Sequence, residues 1–78
     1  MSEQPRIVDV MGLRCPIPVQ RTRMAIKDME EGEILHVLGD DPESQHDIPA
    51  LLERLGLQPA EISEVGSGWI YIILNRKK

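Results

Sequence analysis

A single cysteine, Cys15, has the clearest chemical potential in this sequence. It lies in the run 12–18, GLRCPIP, where a glycine turn leads into the first predicted helix. A helix start has free N–H groups and a partial positive charge, which stabilise an anion and lower the pKa of a thiol. Pro16 and Pro18 remove two of these N–H groups and fix the backbone that carries the others. The pattern predicts a partly exposed, reactive thiol rather than a buried structural cysteine.

Basic residues surround this cysteine along the chain. Segment 12–27 contains no acidic residue and four basic ones, Arg14, Arg21, Arg23 and Lys27. The whole chain has a net charge of -4, so the remaining residues must sum to -8. We therefore expect a thiolate in the one basic patch of an acidic protein. Arg14 is a candidate for stabilising that anion, and the other three for docking an acidic partner patch. Solvated surface charge is the alternative for all four.

The composition restricts what one cysteine can do. Without a second cysteine, an internal disulfide, a dithiol redox pair and a zinc ribbon are excluded. A cysteine hydrolase needs a histidine base, and no motif surrounds His36, in a predicted strand, or His46, before a predicted helix. What remains is a nucleophilic sulfur that carries a group as a persulfide or mixed disulfide, with a partner supplying the rest.

Apolar periodicity and turn residues predict the elements that position Cys15. The order is strand, helix, strand, helix, strand, strand, with the strands at 6–10, 33–38, 58–65 and 69–74. The first helix runs from Cys15 to the residues before Gly32. At the start of the second, Ser44 with Asp47 three residues later resembles a capping box, although Asp47 itself could be the N-cap, and Gly56 ends this helix. We expect an α/β two-layer sandwich, βαβαββ, in which a four-stranded mixed sheet carries two helices on one face.

Size and composition bound the function further. A chain of 78 residues allows a single domain, 1–78, with a flexible lead-in at 1–5 and a basic tail at 76–78 that we expect to fray. The acidic balance and two aromatic residues disfavour direct nucleic-acid binding. No apolar run is long enough to span a bilayer, and no secretory signal is visible. We expect a cytoplasmic protein with a reduced thiol and no membrane insertion.

Three aspartates, Asp40, Asp41 and Asp47, raise the question of a metal site. They flank the start of the second predicted helix, where turn and capping roles account for carboxylates. We therefore predict no metal and no cofactor.

The sequence resembles the TusA/SirA/YeeD family of small sulfur-carrier proteins. The strongest match is 9–18, DVMGLRCPIP, which has the Cys-Pro-x-Pro motif of the family after Gly-Leu. The segments 40–42, DDP, and 47–49, DIP, match at the spacing typical of the family, and the resemblance covers 9–77. Ile17 departs from it, because the family often has a polar residue at that position.

The resemblance implies the same βαβαββ sandwich and a sulfurtransferase that acts as a relay, without stand-alone turnover of a small substrate. Cys15 would be the catalytic nucleophile and would accept a sulfane sulfur as a persulfide. Gly12, Leu13, Pro16 and Pro18 would shape the helix start that presents it.

The implied sulfur donor is a cysteine desulfurase or a rhodanese-type enzyme, and the acceptor is the next relay protein, as in tRNA 2-thiouridine synthesis. Relatives also serve molybdenum-cofactor synthesis, sulfur oxidation or thiosulfate uptake. A monomer is the plain expectation for a carrier that docks on two partners. The main alternative is a non-catalytic interaction or regulatory module in which Cys15 is structural. A nucleic-acid-binding module is a third, which the acidic charge disfavours.

Overall fold

The strands and helices lie close to where the apolar pattern predicts them. A computed structural model describes residues 6–78, so the lead-in predicted for 1–5 lies outside the described residues. The elements are β1 (Arg6–Asp9), α1 (Ile17–Lys27), β2 (Ile34–Gly39), α2 (Ser44–Leu55), β3 (Glu61–Val65) and β4 (Gly68–Leu74). The predicted order βαβαββ is confirmed.

The four strands form one mixed sheet in the order β1-β2-β4-β3. β1 and β2 are parallel, with Val8 opposite Val37, while β4 is antiparallel to both β2 and β3. β2 therefore lies between two neighbours, which agrees with its nearly continuous apolar sequence. The mixed sheet and the hairpin between the last two strands are as predicted.

The core lies between the sheet and the two helices. Alternate residues of β2 and β4 point into it, and Leu35, Val37 and Tyr71 are all 0% exposed. The helices cover this face with residues at helical spacing, Ile26 from α1 and Ile48 from α2. Because the two helices also pack against each other, the start of α2 is held beside the loop that precedes α1.

The helix starts differ from the predictions. α1 begins at Ile17 rather than Cys15, with Pro16 at the N-cap position and Pro18 in the first turn. The first bond of the helix runs from the N–H of Gln20 to the carbonyl of Pro16, so Cys15 stays in the preceding loop. The Cys15–Pro16 peptide bond is cis.

α2 begins at Ser44 without a side-chain cap, so the predicted capping by Ser44 or Asp47 is wrong. It ends at Gly56, as predicted, in the left-handed conformation with φ +77°.

The basic tail, expected to fray, is instead hydrogen-bonded to the end of α2. The N–H of Lys78 donates to the carbonyl of Gly56 at 3.0 Å, and Lys77 Nζ donates to that of Leu55 at 2.8 Å. The last carbonyls of a helix have no partner within it, and the tail supplies donors for them. In the part of the chain that the structure describes, neither helix has the length and apolar character needed to cross a membrane.

Candidate functional site

The loops that follow β1 and β2 meet at one edge of the sheet, because these strands are parallel neighbours. The first loop carries Cys15, and the second leads into α2. The N–H of Val10 donates to the carbonyl of Leu38 at 2.7 Å, which extends the strand pairing to this edge. Cys15 is exposed here, as the sequence predicts.

The glycine and leucine before the cysteine shape its loop. Gly12 has φ +80°, a conformation that glycine adopts without strain, so the chain can turn sharply after β1. The N–H of Leu13 donates to the carbonyl of Val10 at 3.1 Å, and its side chain packs half-buried against the core. These contacts set the direction in which the chain reaches Cys15.

Asp41 joins the cysteine loop to the start of α2. Its side chain is buried, with 5% of the residue exposed, and Oδ2 accepts the N–H of Cys15 at 2.7 Å. Oδ1 accepts the N–H of Glu43 at 3.1 Å. A buried carboxylate is costly unless hydrogen-bonded, and these two donors satisfy it. One aspartate thus holds the backbone of the nucleophile against the turn before α2.

Asp40 makes a second link between the loops, at their exposed rim. Its Oδ1 accepts the N–H of Gly12 at 3.0 Å and a bond from Arg14 Nη1 at 2.9 Å. These bonds hold the pKa of the Asp40 carboxyl below its ordinary value. Arg14 therefore pairs with Asp40, and the thiolate-stabilising role predicted for it stays a prediction.

The thiol itself faces a carboxylate. Sγ of Cys15 donates to Oδ2 of Asp47, in the first turn of α2, at 3.2 Å. This hydrogen bond is the main reason that the pKa of Cys15 is raised from 9.0 to about 11. Local desolvation and the charges of Asp47, Glu43 and Asp41 raise it further. The lowered thiol pKa expected from the sequence is therefore wrong for this arrangement.

The other predicted basic residues lie along α1. Arg21, Arg23 and Lys27 are exposed, and within residues 6–78 none of them forms an ion pair. Met24 between them is 65% exposed. Their predicted role in docking a partner stays a prediction.

A cleft of about 200 Å³ opens beside the sulfur, between α1 and α2. Its lining comprises Cys15, Pro16, Val19, Asp47, Ala50, Leu51 and Arg54. The sequence did not indicate the part that α2 contributes. The order of the elements could have indicated this contribution of α2. The carboxyl ends of parallel neighbouring strands share one edge of a sheet, so the loop that leads into α2 lies beside the loop that carries Cys15.

Three potential metal ligands also lie at this site. Sγ of Cys15 and one carboxylate oxygen each from Glu43 and Asp47 lie within 4.8 Å of one another. Thiolate and carboxylate ligands suit zinc, but exposed acidic side chains commonly gather without an ion. The prediction of no metal stays a prediction.

Comparison with known proteins places this geometry in a family. Residues 6–75 match the family described as sulfurtransferase TusA. A candidate sulfur carrier protein of Thermotoga maritima is 45% identical over 69 residues, covering 86% of this chain and 87% of its own. The sulfur carrier protein TusA of Allochromatium vinosum is 32% identical, over 94% and 96% of the two chains. The crystal structure of a SirA-like protein from Desulfitobacterium hafniense superposes with a TM-score of 0.77 at 32% identity, over 91% and 97%.

Proposed function

Because the chain belongs to the TusA family of sulfurtransferases and has the role of a sulfur carrier, we propose that it carries sulfur as a persulfide on Cys15. The observation behind this proposal is that Cys15 is exposed at a cleft and is the single cysteine of the chain. A persulfide on it has no second thiol in the chain to resolve it. The sulfur must therefore leave to another molecule, which is what a relay requires.

The proposed loading step is an exchange between two sulfur atoms. The Cys15 thiolate attacks the outer sulfur of a donor persulfide, and a new S–S bond forms as that of the donor breaks. The donor leaves as a thiolate and takes up the proton that the Cys15 thiol lost, so there is no net oxidation. Unloading is the same reaction with an acceptor thiol as the attacking group.

The donor and acceptor that we propose are those implied by the resemblance to the family. A cysteine desulfurase or a rhodanese-type enzyme supplies sulfane sulfur on a cysteine, and a relay protein with a free thiol accepts it. We propose a cytoplasmic monomer that serves tRNA 2-thiolation or another sulfur-trafficking pathway. Arg21, Arg23 and Lys27 are exposed on α1, and we propose that they contribute to contacts with an acidic partner patch.

A mass measurement tests the proposal. The protein is incubated with a cysteine desulfurase and free cysteine, and in parallel with a rhodanese and thiosulfate, and the intact chain is weighed. We expect a gain of about 32 Da, one sulfur atom, that dithiothreitol removes and Cys15→Ser abolishes. No gain with either donor, or a gain that survives in Cys15→Ser, would refute it.

A non-catalytic interaction module is the second candidate, and the raised thiol pKa favours it, because a protonated thiol is a weak nucleophile. This candidate predicts that Cys15→Ser keeps full activity in cells that need the protein. Loss of activity in that variant, with its fold intact by circular dichroism, would exclude it.

A further inference from the structure

The carboxylate of Asp47 touches the atom that would react. Its Oδ2 lies 3.2 Å from Sγ of Cys15, so its charge acts at short range on a group that approaches the sulfur. Within residues 6–78 no lysine or arginine forms an ion pair with Asp47. Arg14, the basic residue next to Cys15 in the sequence, pairs with Asp40 instead. Asp47 therefore presents an uncompensated negative charge at the reaction centre.

That charge affects any sulfur compound that approaches Cys15. An anionic group beside the incoming sulfur is repelled by Asp47. A cationic group is instead attracted to the carboxylate. When it pairs with Asp47, the carboxylate holds the proton of the Cys15 thiol less strongly. We propose, on the basis of the proposed function, that Asp47 is a specificity-determining residue. It selects sulfur donors that carry a cationic group next to their reactive sulfur.

The cleft agrees with this selection. Val19, Ala50 and Leu51 give it apolar walls that suit the carbon stem of a small side chain. Arg54, which also lines the cleft, stands seven residues after Asp47 on α2, about 10 Å along the helix axis. Negative charge is thus next to the sulfur and positive charge is farther away. A donor side chain with a cation near its sulfur matches the end of the cleft at Asp47.

Three small disulfides test the selection without an identified partner: cationic cystamine, neutral bis(2-hydroxyethyl) disulfide and anionic dithiodiglycolate. In each, the Cys15 thiolate attacks one sulfur, the S–S bond breaks, and the released thiolate takes up the proton from Cys15. Mass spectrometry follows the mixed disulfide on the protein. Each rate is divided by that of the same disulfide with N-acetylcysteine amide, which corrects for the different leaving thiols.

We expect normalised rates in the order cationic, neutral, anionic. One unit charge about 4 Å from another in water contributes ~1 kcal/mol, so each step should be about five-fold. Asp47→Asn should shrink the differences among the three rates and leave only the smaller effect of the Glu43 carboxylate, which lies within 4.8 Å of the sulfur. Glu53→Gln should preserve the order, because it removes an acid from the same helix outside the Cys15 cleft.

Equal normalised rates in the wild-type protein would overturn the inference, and that result needs no variant to fold. Rate differences that stay as large in Asp47→Asn as in the wild type would overturn it as well. The proposed function is tested separately, by the gain of sulfur mass. A chain that gains sulfur but treats the disulfides alike refutes only the selection by Asp47. A chain that discriminates among them but never gains sulfur refutes only the carrier role of Cys15.

Discussion

Replacing Asp47 with asparagine should make the resting Cys15 thiol more reactive, although it removes a contact at the proposed reaction centre. Asparagine keeps the shape of the side chain and removes its charge. The hydrogen bond to Asp47 and the Asp47 charge both act to hold the proton on Cys15. Glu43 and Asp41 add smaller charge effects that remain in the variant. The pKa of the thiol should therefore fall from about 11 most of the way towards 9.0.

The size of the effect follows from two opposing factors. Lowering the pKa from about 11 to 9.0 raises the thiolate fraction near pH 7.5 by about a hundred-fold, because each pKa unit is a factor of ten. The less basic thiolate is a weaker nucleophile. With a Brønsted slope of about 0.4–0.5, this reduces the gain by a factor of about six to ten. We therefore expect alkylation near neutral pH to become about ten-fold faster in the Asp47→Asn variant.

The assay is the pH dependence of alkylation by iodoacetamide, a neutral reagent, with the product measured by mass spectrometry. The wild-type rate should keep rising with pH until it levels off near pH 11, and that of Asp47→Asn should level off closer to pH 9.0. Glu53→Gln is the matched control and should follow the wild type. A wild-type profile that levels off below pH 9.0, or slower alkylation of Asp47→Asn at neutral pH, would refute the reasoning.

Three further predictions concern stability and are checked by urea unfolding. Asp41→Ala removes the acceptor of two backbone N–H groups and should cost about 1–3 kcal/mol; no loss would mean that these bonds do not hold the loop. Tyr71→Phe should cost nothing, because the buried hydroxyl has no partner in residues 6–78, whereas Tyr71→Ala should cost about 3–5 kcal/mol; equal losses would contradict this. Gly68→Ala should cost about 1–3 kcal/mol, because its Cβ would collide with the Gly39 carbonyl. Its comparison, Gly66→Ala, meets open space and should cost only the backbone strain of φ +58°, about 1 kcal/mol; a smaller loss for Gly68→Ala would be the contrary result.

Much of the fold is predictable because its signals are local. The apolar run of β2 indicates a strand with neighbours on both sides, and Gly56 marks a helix end that needs a left-handed residue. The residue at which α1 begins is not determined by a local signal. Asp41, distant in sequence, accepts the N–H of Cys15, and the helix begins only at Ile17.

The C-terminal tail also has contacts that the local sequence does not predict. Lys77 and Lys78 read as a solvated basic end, yet they bond to the carbonyls that finish α2. No pattern within three residues can indicate partners that the fold brings from another part of the chain.

For the chemistry, the sequence alone determined that there is one thiol, where it lies, and that a persulfide on it has no resolving partner in the chain. Only the tertiary structure decided the charge around that thiol. Counting along the chain placed Cys15 among basic residues, but electrostatic energy depends on separation in space. The parallel pairing of β1 and β2 brings Asp47, 32 residues away, to the sulfur, while Arg14 turns to Asp40. The resting thiol is consequently held protonated by its neighbours in space, not activated by its neighbours in sequence.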